Sequence, residues 1–137
     1  MLEVALRKAR KQSIANIDYL QVSILDERFH QESFDAVLAF NVLHLVKHIA
    51  TTIRRISTLL KPKGYFLSST ECGGENRASF VNVSASILSS MRIVPYIRFF
   101  KIDELEGMIT KGDFEIVEAA NLYTLNQPNH FVAARKL

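Results

Sequence analysis

Cysteine is nearly absent from this 137-residue chain. Cys72 stands alone, which excludes an intrachain disulfide and a cysteine-built zinc site and fits a reduced, cytoplasmic setting. Proline and glycine are scarce too, at three and five residues, so collagen-like and linker-like chains are out. No glycine precedes Gly64. Long apolar runs are also missing. The most apolar stretch, Phe34 to Val46, carries Asp35, Asn41 and His44 and is too short to span a bilayer. The first residues lack the apolar core and small-residue cleavage site of a signal peptide. Neither charge sign dominates: 17 basic against 14 acidic residues leave a formal net charge of +3, well short of a nucleic-acid-binding signature. What remains is ordinary. Hydrophobic residues make up 48% and charged residues 23%, the balance of one globular domain rather than of a disordered chain.

Periodicity places the elements. Residues 2–12 read as a helix, with Leu2, Ala5, Leu6 and Ala9 on one face and a basic C-terminal end that suits the helix dipole. Ile17 to Val22 reads as a strand, and residues 24–33 as polar loop. Phe34 to Phe40 is the clearest strand. Its unbroken apolar run from Ala36 suits a parallel strand covered on both faces. A helix over about 46–60 puts Ile49, Ile53, Ile56 and Leu60 on one face and points Arg54 and Arg55 away. Lys61-Pro62-Lys63-Gly64 stops it, with Gly64 expected to permit the turn. Tyr65 to Ser69 reads as a strand, 71–77 as a loop, 78–92 as a weakly polar helix and 103–110 as a short helix. Glu115 to Ala119 and His130 to Ala134 read as a closing strand pair. No repeat or low-complexity tract interrupts this order. Alternation followed by two strands predicts an α/β domain spanning the whole chain.

Four blocks in this order carry a resemblance. Ser33-Phe34-Asp35-Ala36-Val37, Leu59-Leu60-Lys61-Pro62-Lys63-Gly64-Tyr65, Gly112-Asp113-Phe114-Glu115-Ile116-Val117 and Asn129-His130-Phe131-Val132-Ala133 resemble strands four to seven of class I S-adenosylmethionine-dependent methyltransferases. Lys63 departs from the family pattern, which usually has Gly there. The resemblance implies a three-layer Rossmann-like sheet, mostly parallel with an antiparallel C-terminal strand pair. It also implies what these residues do not contain. The family's first strand ends in a Gly-rich loop, where only Gly lets backbone and cofactor come close, and its second ends in an acid for the ribose hydroxyls. By this reading Met1 to Lys11 matches the helix after strand two, and the domain is N-terminally incomplete.

The resemblance assigns roles to strand ends, and each has a plainer alternative. Ser23 and Ile24 stand where the family contacts adenine; Ser23 otherwise just ends a strand, and Asp26 could substitute only if the loop bends. Phe40, Asn41 and Val42 stand on the methionyl side of the cofactor site; Asn41 otherwise supplies turn or cap chemistry. His44 is a substrate-side candidate for a general base, or a pocket-edge or satisfied interior histidine. His44 and His48 are four apart and could share a helix face, but no carboxylate nearby completes a metal triad. Phe80 to Phe100 reads either as a lid over a hydrophobic acceptor or as core.

These expectations leave three functions in play. The first is a methyltransferase that uses S-adenosylmethionine to methylate a small-molecule acceptor, with weak or no cofactor binding by this chain alone. The second is an inactive chain that persists as a dimer or as a subunit of another protein. In the third, a second chain supplies the missing half. Removing strands one and two leaves strand 34–40 at an open sheet edge, which predicts a homodimer with strand 34–40 or strand 17–22 paired across chains. No nucleic-acid partner and no membrane span are expected.

Overall fold

The computed structural model describes residues 2–72, 96–124 and 127–137. The expected helix over 78–92 and most of the 71–77 loop lie outside them, and the expected lid is described only from residue 96 onward. Helix α1 is Leu2–Lys11, and Ala9 of its apolar stripe is buried. Strand β1 is Phe34–Phe40, a 3-10 turn follows at Leu43–Leu45, and helix α2 is Ile49–Leu59. Strand β2 (Leu60–Glu71), helix α3 (Ile102–Thr110), strand β3 (Phe114–Thr124) and strand β4 (Gln127–Lys136) complete the described elements.

The sheet is mixed, in the order β1-β2-β4-β3. β1 and β2 are parallel, from Ala36 against Tyr65 to Phe40 against Ser69. β4 lies antiparallel between β2 and β3, as the resemblance implies for the last two strands. A parallel pair needs a crossover, and α2 supplies it. Ile49, Ile53, Ile56 and Leu59 of α2 are buried. Ile49, Ile53 and Ile56 join Phe66, Val132 and Ala134 of the sheet and Leu105 and Ile109 of α3 in one core cluster. Phe66 and Phe114 stack at 5.5 Å between ring centroids across this layer. Each fully buried side chain of this size contributes about 1.5–3 kcal/mol, so the covered face holds the fold together. Phe100 is wholly buried in the same cluster, so this end of the expected lid is core. Among the described residues, the opposite face leaves Leu38, Phe40 and Tyr65 exposed.

Three expectations need correction. Ile17 to Val22 forms no strand; Ile17 and Leu20 are exposed, because a strand needs a neighbour and none of the described elements pairs with it. Arg55 does not point away: it is half-buried and turned toward the loop before β1. The left-handed residue of the turn after α2 is Lys63, at φ 64°, not Gly64. Gly64 is needed for a different reason. A Cβ there would lie 2.9 Å from the Lys61 carbonyl oxygen and 3.0 Å from that of Asp35. The turn is tied to the start of β1 by Lys61 Nζ on Asp35 Oδ1 at 2.6 Å, and that cation holds the Asp35 carboxyl below its usual range.

Candidate functional site

The site grows from the carboxyl end of β1, where open α/β sheets place ligands. β1 ends because Asn41 turns left-handed, at φ 51°, a region Asn tolerates better than most residues. Its amide N–H still donates to the Ser69 carbonyl at 2.8 Å, so the backbone leaves the sheet at a fixed point. Val42 then opens the 3-10 turn, and its carbonyl accepts from the Leu45 amide at 3.0 Å. His48 precedes α2 without capping it through its side chain; its carbonyl accepts from the Thr52 amide.

The loop before β1 is brought to the same place by Arg55. Its guanidinium donates to the carbonyls of Ile24 at 3.4 Å, Asp26 at 3.2 Å and Phe29 at 2.8 Å. Ser23 closes a local turn, with its Oγ accepting from the Leu25 amide at 3.2 Å, and Ile24 packs on the core. Asp26 is not free to replace Ser23 toward a ligand. Both of its carboxylate oxygens bind the Arg28 guanidinium, and the Arg28 amide adds a third bond. Those bonds pull the Asp26 carboxyl down to about 2.

The result is a largely apolar cleft of about 420 Å³ between the outer side of β1, the turn after it and the start of α2. Ser23, Ile24, Val37, Val42 and His48 are among its lining residues. Of the residues expected to face the cofactor, Ser23, Ile24 and Val42 are thus brought together. Phe40 and Asn41 do not line the cleft; Phe40 faces the open side of the sheet, 53% exposed, and Asn41 sits exposed at the strand's end.

His44 and His48 do not share a helix face. His44 lies in the 3-10 turn, whereas His48 precedes α2. Among the described residues no group of three or more His, Cys, Asp or Glu side chains is gathered for a metal. His44 Nδ1 is buried without a hydrogen-bond partner, while its carbonyl accepts from the Arg98 amide at 2.8 Å. The sequence reading missed two features. One is the Arg55 strap, since nothing in its spacing separates it from Arg54. The other is a buried relay two strands from β1. His130 places Nδ1 2.8 Å from Asn121 Oδ1 and Nε2 2.8 Å from Glu106 Oε1, and Thr70, its cross-strand neighbour, has an unpartnered buried Oγ1. Cys72 follows β2 and is buried; burial, and then the charges of Glu104, Glu106 and Glu71, push its thiol up to about 11.

No helix among the described residues is long and apolar enough to cross a membrane. Comparison with known proteins bears on the same residues. A family model described as "Methyltransferase domain" matches residues 1–123. A reducing polyketide synthase, BOA6 of Botryotinia fuckeliana, is 44% identical over 50 residues, 36% of this chain and 2% of that protein. The solved structure of the cyclase SpnF superposes with a TM-score of 0.77 at 15% identity, covering 98% of this chain and 62% of that one. Geranyl diphosphate methyltransferase in complex with SAM superposes with a TM-score of 0.74 at 13% identity, covering 99% and 64%. The chain therefore spans a few per cent of its curated relatives and under two thirds of these structural neighbours.

Proposed function

The chain belongs to the methyltransferase-domain family, and from that premise we propose that it forms one wall of an S-adenosylmethionine site serving methyl transfer to a small molecule. The observation that carries this reading is the cleft beside β1, where Ser23, Ile24 and Val42 converge at the carboxyl end of a parallel strand. The residues fit part of the cofactor. Apolar Ile24 suits the adenine, Ser23 offers it a hydroxyl, and Val42 stands toward the methionyl side; Asn41 is exposed at the end of β1, outside the cleft. They do not fit all of it: no glycine precedes Gly64, so a Gly-rich loop is not among these residues, and this chain alone binds the cofactor weakly.

When bound, the cofactor would supply an electrophilic sulfonium methyl group. The chain's part is to orient the acceptor for attack on that carbon and to exclude water. The chain's own residues would hold the acceptor in place and take up the proton it releases. His44, whose Nδ1 lacks a partner, is the proposed substrate-side base. Similarity to polyketide synthases favours an acceptor of polyketide chemistry. A cytoplasmic setting goes with the single, buried cysteine.

Fold alone does not carry the reaction, since a cyclase shares it. Calorimetric titration with S-adenosylmethionine is the test. Weak, saturable heat that falls further in Ser23→Ala supports the reading. A dissociation constant in the low micromolar range, about −8 kcal/mol, would overturn the incomplete-site part of it. No heat at millimolar cofactor would overturn the cofactor assignment.

One observation favours a second reading, a chain whose main role is to join another polypeptide. β1 stands at the end of the sheet order, and among the described residues no segment pairs with its outer side.

A further inference from the structure

The buried imidazole of His130 has no part in the cleft, yet it ties α3 to two strands. His130 sits near the start of β4, and only 5% of its side chain is exposed. Its Nε2 lies 2.8 Å from Glu106 Oε1 on α3, and its Nδ1 lies 2.8 Å from Asn121 Oδ1 on β3. Both facing atoms are oxygens. An ionised carboxylate only accepts, and so does a carboxamide oxygen, whereas a neutral imidazole donates from one nitrogen alone. The two bonds exist together only when the ring carries a proton on each nitrogen and a positive charge, and a carboxylate at this distance favours that form.

The neighbouring groups leave that charge to Glu106. On β2, Thr70 stands opposite His130 and is neutral, and Glu71 beside it points to the other face of the sheet. Burial, and then the charges of Glu104, Glu106 and Glu71, push the Cys72 thiol up to about 11, so it stays uncharged. On α3, Glu104 is taken by the Arg98 guanidinium. On β3 the facing group is the uncharged Asn121. Among the described residues Glu106 has no ion pair besides His130.

The helix also reaches the substrate side. Arg98, bound to Glu104 and lying 5.1 Å over the Phe100 ring, donates its amide to the His44 carbonyl at 2.8 Å. Phe100 is wholly buried, which fixes this strap. What loosens α3 therefore also loosens the turn that carries His44.

We propose that His130 is a positioning residue: its two ring protons latch α3 to β3 and β4 and, through Arg98, set the His44 turn, and the latch opens as pH rises and the ring gives up one proton. The ring then keeps a single donor, so a bare nitrogen faces either Asn121 or Glu106 and one of the two bonds is lost. The consequence for His44 rests on its reading as the substrate-side base. The latch does not, and its test uses no cofactor, so failure here leaves the cofactor assignment standing.

The test is nitrogen-15 NMR of the imidazole rings and backbone amides, beside hydrogen exchange, from about pH 5 to 9, the range in which histidines titrate. It is run on the full chain and on Glu106→Gln. Glu106 is partly exposed, so the change leaves the core intact, and circular dichroism checks the fold. In the parent, His130 should show two protonated nitrogens at the acid end. As it loses one, the amides of residues 105–110 should exchange about tenfold faster than base catalysis alone explains, the factor expected when one hydrogen bond to a charged group is lost. The amides of residues 43–45 should shift in the same step. In Glu106→Gln both responses should vanish, with residues 105–110 exchanging fast throughout. A His130 with one bare nitrogen while α3 stays protected, the result expected if the Asn121 carboxamide is turned to donate, overturns the latch. An α3 step that residues 43–45 do not follow overturns its reach to His44.

Discussion

Replacing Arg55 with methionine keeps an apolar stem on α2 and removes the three bonds that hold the loop before β1. The bond to Ile24 is 3.4 Å long, where a hydrogen bond contributes little. The bonds to Asp26 at 3.2 Å and Phe29 at 2.8 Å come from a charged donor, and such bonds contribute about 1.5–3 kcal/mol each. Arg55 is only half-buried, so water recovers part of that when it is lost. The expected cost is therefore about 2–3 kcal/mol, a large share of the roughly 5–15 kcal/mol that holds a domain folded. Urea unfolding should show an earlier midpoint with an unchanged slope. Hydrogen exchange should speed up first at residues 24–29 and leave the amides of β2 and β4 protected. A loss below about 0.5 kcal/mol, the scatter of inert surface changes, with unchanged exchange at 24–29 would refute the strap.

Other substitutions and titrations separate further parts of the account. Lys63→Gly should raise stability by roughly 0.5–1 kcal/mol, since it relieves a left-handed residue at the expense of a more flexible unfolded chain; an earlier melting temperature would contradict the observed φ of 64°. Gly64→Ala should cost about 1–3 kcal/mol, because its Cβ would press on the carbonyls of Lys61 and Asp35; a neutral melt would count against that close approach. Cys72, buried and pushed up to about 11, should resist iodoacetamide at pH 8 in the native chain and react once urea unfolds it; equal rates would show the thiol is accessible. The Asp26 carboxyl, at about 2 against an ordinary 3.8, contributes its bonds to Arg28 above the ordinary value and loses them as pH falls toward 2. Carboxyl NMR should place its midpoint near 2 and return it toward 3.8 in Arg28→Ala.

What could be read from the residues followed their local physics. An uninterrupted apolar run with one leading charge specifies a parallel strand, and β1 occupies Phe34–Phe40 as expected, but it is not covered on both faces, since Leu38 and Phe40 are exposed. The short helix and the closing strand pair were legible too, because Ile102–Thr110 and the segments after Asp113 carry clear periods. Ile17 to Val22 has the composition of a strand, but composition cannot supply a neighbour, and without one its backbone stays unpaired. The turn after α2 misled for a similar reason. Glycine is the default left-handed residue, yet here Gly64 is held by the approach of two carbonyls and Lys63 takes the strain. Val42 follows the end of β1, where ligand sites in open sheets lie, whereas Ser23 and Ile24 line the same cleft from a loop and not from a strand end. Arg55 and the His130 relay were not legible, since they depend on partners 9 to 31 residues away, and one sequence does not reveal such pairs.

The central claim is that the cleft beside β1 faces the cofactor. Backbone amide NMR of the isotopically labelled chain, titrated with S-adenosylmethionine to millimolar concentration, tests it most directly, because weak binding still shifts the resonances it touches. The account predicts progressive, saturable shifts at Ser23, Ile24 and Asn41 to His44, with α1 and β3 unmoved. Shifts confined to the basic end of α1, or a spectrum unchanged at the highest concentration, would contradict it.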